Sequence, residues 1–481
     1  MNDFKNFNIS HNMIKSITSV GYESPSEVQE KVIPLALKGE DLIVKSQTGS
    51  GKTASFGIPL CERLETEKNA VQALILTPTR ELSIQVKNEI SKLGLYKKIK
   101  AVALYGKEPF SLQRKELSQR VHVVVGTPGR VLDHITRKTL NIENIKYLII
   151  DEADEMLNMG FISQVESIIK SLPHKRQTMM FSATLSEEIK ALSKKYMNSS
   201  HTTIEVSPEK LTLDNISQGL YIVEDNKKLK LLMDLIKTEN ITQAIIFCRT
   251  KDRVSEIYQK LGKHNLPLCE IHGNMLQKDR LSTIKGFKEG KYLFMVATDV
   301  AARGIDISTI SHVINYDLPL EVEAYVHRIG RTGRAGESGT SLTFVTPHED
   351  KFLKAIEEYI SMKIPVKTPP SEEEVKSSLN KEFKVKIKTP SSNDNVVKIH
   401  INGGKKKKIR RGDIVGALTN SGNIPADSIG IIDIYDTYSH VDILNGYGKT
   451  LLKSQNEINI KGKPTKIKKA KDWLIENLNI T

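Results

Sequence analysis

Ser46-Gln47-Thr48-Gly49-Ser50-Gly51-Lys52-Thr53 has the residue types and spacing of a phosphate-binding loop. Its glycines let backbone N–H groups turn toward an anion, Lys52 can reach a terminal phosphate, and Thr53 can offer its hydroxyl to Mg²⁺. The strict pattern has glycine where Ser46 stands, and a glycine-rich turn beside a lysine also occurs as plain loop. The loop alone therefore admits a nucleotide site or a structural turn. Asp151-Glu152-Ala153-Asp154 narrows the choice. Asp151 suits a carboxylate that holds Mg²⁺, through water, and Glu152 can orient or deprotonate an attacking water. Alone, an acidic run after a strand is a helix N-terminal feature; paired with the loop it describes a hydrolytic site. A third set, His327-Arg328-Ile329-Gly330-Arg331-Thr332-Gly333-Arg334, spaces three arginines by three residues. It reads as a charged surface that meets anions, able to neutralise charge on a transferring phosphoryl group. Such an arginine is worth ~10³ to 10⁵ in rate; the bland alternative is a patch for a phosphate backbone.

The elements that must position these residues follow from apolar runs. Leu74-Ile75-Leu76, Val123-Val124-Val125, Tyr147-Leu148-Ile149-Ile150 and Met179-Met180-Phe181 recur between amphipathic segments. Fully apolar strands alternating with helices predict a parallel sheet covered on both faces. Its strands deliver loops to the C-terminal edge of the sheet, where ligands bind. This α/β domain spans 1–206. The alternation restarts with Ile245-Ile246-Phe247, Phe294-Met295-Val296 and Val313-Ile314-Asn315, giving a second α/β domain over 207–366 and a cleft between the two. Residues 367–394, with Thr368-Pro369-Pro370-Ser371, hold little that could build a core and read as a linker with one exposed helix. From 395 to 481 the period changes to half-exposed strands at Val397–Ile401, Ile429–Ile434 and 440–444, predicting a compact β-α-β-β-α-β domain.

Charge sets the class of partner. The 481-residue chain has 71 Lys/Arg against 57 Asp/Glu, a formal charge of +14. From Lys381 to Thr481 there are 19 Lys/Arg against 10 Asp/Glu, so most of the excess lies in the last fifth of the chain. That concentration favours a dedicated anion-binding module, and Lys405-Lys406-Lys407-Lys408-Ile409-Arg410-Arg411 points to nucleic acid rather than a solvated loop. Cys61, Cys248 and Cys269 have no metal-ligand spacing, so inert thiols in a reducing compartment and no zinc site are expected. No apolar run approaches the ~20 residues needed to cross a bilayer, and the N-terminus lacks a long apolar stretch. A cytoplasmic protein without membrane contact is the expectation.

Taken together, these residues resemble the DEAD-box ATP-dependent RNA helicases over about 1 to 365. The resemblance rests on Gly21 to Gln29, the phosphate loop, Pro78-Thr79-Arg80-Glu81-Leu82, Thr127-Pro128-Gly129-Arg130, Asp151 to Asp154 and Ser182-Ala183-Thr184. In the second domain it rests on Ile246 to Thr250, Gln277 to Arg280, Ala297 to Asp306 and His327 to Arg334. It implies two tandem RecA-like parallel-sheet domains and ATP with Mg²⁺ as cofactors. Gln29 would read adenine, with Phe4 stacking on the ring and Tyr22 packing nearby. Ser46, Gln47, Thr48, Gly49, Ser50, Gly51, Lys52 and Thr53 would hold the phosphates, and Asp306 the ribose. Asp151 and Glu152 would serve Mg²⁺ and water, with Arg331 and Arg334 as arginine fingers. Ser182 and Thr184 would couple ATP-dependent closure to RNA. Thr79, Arg80, Thr127, Gly129, Arg130, Arg249, Arg280 and Thr298 resemble RNA-backbone contacts, which carry no base information. Three positions depart from the pattern: Ser46 replaces the usual alanine, Ser26 the commoner threonine, and Lys107 a glycine that many members carry.

The C-terminal segment resembles the divergent RNA-recognition domain of DbpA-type helicases, a small α+β RRM-like fold. The implied target is a hairpin with adjacent duplex in large-subunit ribosomal RNA, and the implied role is assembly of that subunit. Lys405, Lys406, Lys407, Lys408 and Arg410 would contact RNA. His400 and His440 either stack weakly on bases or are sheet surface; Tyr435, Tyr438 and Tyr447 are candidate stackers or core. No obligate protein partner is expected. An ATP-timed RNA clamp that does not unwind needs the same residues, and a DNA translocase is a third, weaker reading.

Overall fold

The computed structural model describes residues 3–46, 51–206, 215–302, 310–333, 338–378 and 395–470. The chain divides into two compact units, Met1–Val206 with Ser391–Thr481, and Ser207–Pro390.

The apolar runs of the first unit form a parallel seven-stranded sheet, ordered β3-β4-β2-β5-β6-β1-β7. Its strands are β1 Leu42–Lys45, β2 Ala73–Leu76, β3 Ala101–Leu104, β4 Val123–Gly126, β5 Tyr147–Ile150, β6 Gln177–Ser182 and β7 Thr202–Glu205. Successive residues feed opposite cores, because side chains alternate across a strand. Val44 and Ile75 enter one cluster with helix residues Val32, Phe56 and Val86. Ile43 and Leu74 enter the other with Val131, Val165 and Ile168. Both faces are dry, which is why these strands carry no polar alternation.

The second unit repeats the plan in a parallel six-stranded sheet, ordered β10-β11-β9-β12-β13-β8. Its strands are β8 Ile216–Ile222, β9 Ala244–Phe247, β10 Leu268–Ile271, β11 Phe294–Ala297, β12 His312–Asn315 and β13 Gly339–Val345. Ile246 faces one core and Ile245 with Phe247 the other. An exposed helix Glu372–Ser377 lies in the stretch expected to hold one, closed by a Ser371–Glu374 capping box. Cys61, Cys248 and Cys269 are free and buried, and burial pushes each thiol above its ordinary range.

In the C-terminal part an antiparallel sheet is ordered β15-β16-β14-β18-β17. It comprises β14 Val397–Ile401, β15 Ile429–Ile434, β16 Ser439–Ile443, β17 Glu457–Ile460 and β18 Lys463–Lys469. Helices Arg411–Asn420 and Tyr447–Ser454 cover one face, packing Ile414, Leu418 and Leu451 onto Ile399, Val441 and Ile443. The order is β-α-β-β-α-β-β, one strand more than the pattern suggested. Lys461 and Gly462 both take positive φ (53° and 76°) and turn β17 straight into β18. That is the two-residue turn whose twist matches paired strands, and its lysine-glycine pair is a weaker signal than asparagine-glycine.

Candidate nucleotide and RNA sites

The C-terminal edge of the first sheet gathers the expected hydrolytic residues. Ser46 follows β1 and its N–H donates to Ser182 O at the end of β6 (3.0 Å). Gly51 has φ 88°, and a Cβ there would lie 2.6 Å from Gln29 Nε2. Only glycine tolerates both conditions. The helix Lys52–Arg63 starts immediately after it, so its free N–H groups and dipole point at the loop. Lys52 is buried and its Nζ donates to Ser46 O (3.2 Å). Thr53 is half-buried one residue further on. Gln47, Thr48, Gly49 and Ser50 lie outside the described residues.

Asp151 follows directly on β5 and is buried. Burial pushes its carboxyl up to about 7, against the pull of Lys52 and with the added repulsion of Glu152. Such an environment calls for a cation: desolvation disfavours the carboxylate and one lysine does not offset it. Ser46 Oγ is also buried with no hydrogen-bond partner among the described residues. Asp151, Thr53 and this orphaned hydroxyl are oxygen donors of the kind that hard Mg²⁺ takes. Glu152 stands at φ 52°, a left-handed position at the N-terminus of helix Ala153–Asn158, with its N–H donating to Asp151 Oδ1 (3.1 Å).

The adenine-side residues are engaged with the protein. Ser26 caps the helix Glu27–Lys38 in a capping box with Gln29, so serine fills the place of threonine with its hydroxyl role intact. Gln29 Oε1 accepts from Ser26 N–H (3.0 Å) and its Nε2 donates to Gly51 O (3.2 Å). Phe4 is buried, 6.3 Å from the Tyr22 ring and 6.0 Å from Phe7. The Tyr22 hydroxyl donates to Glu89 Oε1 (2.8 Å).

Asp154, to which the sequence pattern assigned no role of its own, is the hub of the edge. Its Oδ2 accepts from Ala183 N–H (3.0 Å), Thr184 N–H (2.9 Å) and Thr184 Oγ1 (3.3 Å), and its own N–H donates to Ser182 Oγ (3.3 Å). The Ser182–Thr184 segment is thus tied to the acidic turn by four hydrogen bonds. A second aspartate one helical turn beyond Asp151 was the available signal.

The RNA candidates of this domain sit on the same edge after β2 and β4. Thr79 is buried and caps the helix Arg80–Leu93, its Oγ1 accepting from Leu82 N–H (3.2 Å). Arg80 lies half-buried at the start of that helix. Thr127 and Gly129 are half-buried around Pro128, the first residue of helix Pro128–Thr136. Arg130 Nη1 donates to Glu108 O (2.9 Å) and Gln113 Oε1 (2.8 Å). Lys107 is exposed at φ 62°, which explains why glycine suits this position.

In the second unit Arg249 Nη2 donates to Leu318 O (2.9 Å) and Glu349 Oε1 (2.7 Å). Arg280 Nη2 donates to Ala301 O (2.8 Å), and Thr298 O accepts from Ala301 and Ala302 N–H groups. The arginine triplet needs a correction. Arg328 is no surface charge: it is 1% exposed and forms a two-pronged pair with Asp299 (2.5 and 2.7 Å), and it also donates to Asp317 O (2.6 Å). A planar guanidinium survives burial when every prong has an acceptor, so Arg328 braces the hollow lined by Phe247, Asp299, His327 and Arg331. Arg331 is 8% exposed there. Asp306 and Arg334 lie outside the described residues.

The basic turn of the C-terminal domain is a single 3₁₀ turn, Lys405–Lys407, with Lys408 left-handed at φ 54°. Lys405 to Lys408 and Arg410 are all exposed. Lys405 and Lys406 N–H groups donate to Tyr435 O and Asp436 O (2.8 Å each), and a Cβ on Gly404 would meet Tyr435 O at 2.1 Å. The lysines are therefore fixed beside the β15–β16 turn. On that side of the sheet the rings of Tyr435, Tyr438, His400 and His440 form a contiguous cluster with centroids 4.6–5.8 Å apart. Burial and the neighbouring Lys398 and His400 hold His440 down at about 4, keeping it neutral at pH 7. Tyr447 is exposed at the start of its helix, away from the core. Among the described residues no group of His, Cys, Asp and Glu could hold a metal as a cluster, and no helix is long and apolar enough to cross a membrane.

Known families match each of these domains. Residues 26–192 match the DEAD/DEAH box helicase family, 227–336 the helicase conserved C-terminal domain, and 398–469 the DbpA RNA binding domain. The chain is 52% identical to the ATP-dependent RNA helicase DbpA of Bacillus subtilis, across 98% of this chain and all of that protein. It is 44% identical to the DEAD-box ATP-dependent RNA helicase CshA of Geobacillus kaustophilus, across 78% of this chain and 80% of that one. Its fold resembles Saccharomyces cerevisiae Dbp5 bound to RNA and ADP BeF3, with a TM-score of 0.71 and 31% identity over 80% of this chain and all of that one.

Proposed function

The chain belongs to the DEAD-box ATP-dependent RNA helicases of DbpA type, and we propose that it locally opens short RNA duplexes while tethered by its C-terminal domain to a structured hairpin of large-subunit ribosomal RNA, in the service of assembling that subunit. It is an RNA-dependent ATPase with two tandem RecA-like domains and a separate RNA-binding domain. The observation that carries the ribosomal reading is the exposed Lys405–Lys408 turn, built onto a DbpA RNA binding domain and hydrogen-bonded through its backbone to Tyr435 and Asp436.

The chemistry follows from side chains on one sheet edge. Lys52 and the N-terminus of its helix bind and orient the phosphates. Asp151 and Thr53 would hold Mg²⁺, which supplies charge neutralisation across the phosphates when bound. Glu152, left-handed at the start of the helix it precedes, takes the proton of the attacking water. Gln29, already fixed by Ser26 and Gly51, recognises adenine, with Phe4 and Tyr22 beside it, and Asp306 contacts the ribose. Arg331 and Arg334 of the second domain stabilise the charge that develops on the γ-phosphoryl group. Thr79, Arg80, Thr127, Gly129, Arg130, Arg249, Arg280 and Thr298 hold one strand by its backbone. Asp154 joins Ser182 and Thr184 to the acidic turn by hydrogen bonds, which would link the hydrolytic site to the coupling segment.

RNA-stimulated ATP hydrolysis tests this assignment. It is expected to fall by about 10² or more in Glu152→Gln and to be lost in Lys52→Ala. Undiminished turnover in both would refute it.

A further inference from the structure

Gln113 lies in the helix Phe110–Leu117 and is 1% exposed. A buried carboxamide costs free energy unless its atoms find partners, and here all four of its hydrogen-bonding positions are used. Its Oε1 accepts from Arg130 Nη1 (2.8 Å) and faces His134 Nε2 (3.2 Å), while its Nε2 donates to Tyr105 O (3.0 Å) and Glu108 Oε2 (2.8 Å). The amide cannot be turned over, because a guanidinium only donates and a backbone carbonyl only accepts. Burial and the charge of Arg130 hold His134 down at about 4, so its ring is neutral at pH 7. The tautomer protonated on Nε2 satisfies both ring nitrogens: it donates to Gln113 and accepts on Nδ1 from the Thr139 hydroxyl (2.8 Å).

These bonds join segments that are far apart in the chain. Tyr105 and Glu108 bracket Gly106 and the left-handed Lys107, and a Cβ on Gly106 would lie 3.6 Å from Arg80 Nη2. Arg130 and His134 belong to the helix Pro128–Thr136. Gln113 therefore fastens Arg130 to the turn after β3, and that turn lies against Arg80. The Arg130 guanidinium is restrained through Nη1, by Gln113 and by Glu108 O (2.9 Å); among the described residues its Nη2 takes no hydrogen bond. A long side chain already fixed in this way loses less entropy when it binds a phosphate.

We propose that Gln113 is a positioning residue for RNA binding: it presets the Arg130 guanidinium through Nη1 and leaves Nη2 for a phosphate of the bound strand. His134 and Thr139 fix the amide in turn, and Gln113 itself touches no RNA. The inference rests on the proposed reading of Arg130 as an RNA-backbone contact and adds the residue that sets its geometry.

Gln113→Met tests it, removing the amide at nearly constant length and without a change of charge. Binding of single-stranded oligouridylate to the full-length protein, measured with a non-hydrolysable ATP analogue over a salt series, should weaken by about threefold or more. The slope of log affinity against log salt should flatten by up to about 0.7, the contribution of one phosphate on a single strand. A neutral substitution that only loosened the core would lower the melting temperature and leave that slope alone. Unstimulated ATP hydrolysis should be unchanged. Arg130→Ala should flatten the slope in the same sense, and Gln113→Met added to Arg130→Ala should weaken binding no further. Gln113→Asn, one methylene shorter, is read in the same way where Gln113→Met does not fold. The inference is overturned, with the role of Arg130 intact, if Arg130→Ala flattens the slope and the Gln113 variants do not, or if the two losses add in the double variant. If Arg130→Ala changes neither affinity nor slope, the reading of Arg130 falls and the inference falls with it.

Discussion

At the scale of single residues, Asp151 shows how the site is stored in a strained electrostatic state. Its carboxyl, raised by burial from an ordinary value near 4 to about 7, favours the folded protein when protonated. That advantage is complete below pH about 4 and disappears as pH rises through about 7. Asp151→Asn, which cannot ionise, should therefore unfold at a higher temperature than the parent at pH 8 without nucleotide, by at least about 1 kcal/mol of stability. The gap should close below pH 4, and ATP hydrolysis should be lost throughout. A melting series across pH 4–8 checks the sign. Gly51 carries a second residue-scale prediction. Gly51→Ala must place a Cβ 2.6 Å from Gln29 at φ 88°, so a loss of about 1–3 kcal/mol and weakened ATP binding are expected. Both positions were legible in the sequence because their chemistry needs one residue type. Arg328 was not. A third arginine in a regular spacing looks like its neighbours, and only burial against Asp299 and Asp317 separates a brace from a finger.

At the scale of elements, apolar runs located the buried strands well because a strand covered on both faces leaves no other composition open. Val123–Val125 and Met179–Phe181 fall within β4 and β6. The extra strand of the half-exposed β17–β18 hairpin escaped because Lys463–Lys469 is mostly lysine, with only Thr465 and Ile467 turned inward. What the pattern could not reveal was which acidic residue ties the edge together. Asp154 satisfies two backbone N–H groups and the Thr184 hydroxyl. Asp154→Ala leaves those donors unpaired, which should cost on the order of 2–4 kcal/mol of stability by denaturant melting. Nucleotide binding should persist, while stimulation of ATP hydrolysis by RNA should drop by more than the unstimulated rate. Equal reduction of both rates would show that Asp154 serves hydrolysis itself rather than coupling.

At the scale of the whole molecule, the proposed function divides the work between a basic RNA-binding domain and the helicase core: the tether would choose the RNA and the core would act on whatever duplex lies alongside. Charge asymmetry is the sequence signal for this proposed division, since the last fifth of the chain holds most of the positive excess. It could not announce the ion pair between Lys100 of the first α/β domain and Asp433 of the C-terminal domain, because residues 333 positions apart carry no mutual signal in one sequence. Neutralising Lys405 to Lys408 together should reduce affinity for structured RNA and flatten its salt dependence by about 0.7–0.9 in slope for each RNA phosphate that is no longer neutralised. The central claim is tested most directly by strand displacement with the full-length protein, ATP and a short RNA duplex joined to the large-subunit hairpin or to a scrambled hairpin of equal length. The account predicts ATP-dependent strand release that is faster by about tenfold or more on the hairpin substrate and absent in Glu152→Gln. ATP hydrolysis without strand release would identify a clamp instead, and equal release from both substrates would contradict the tether.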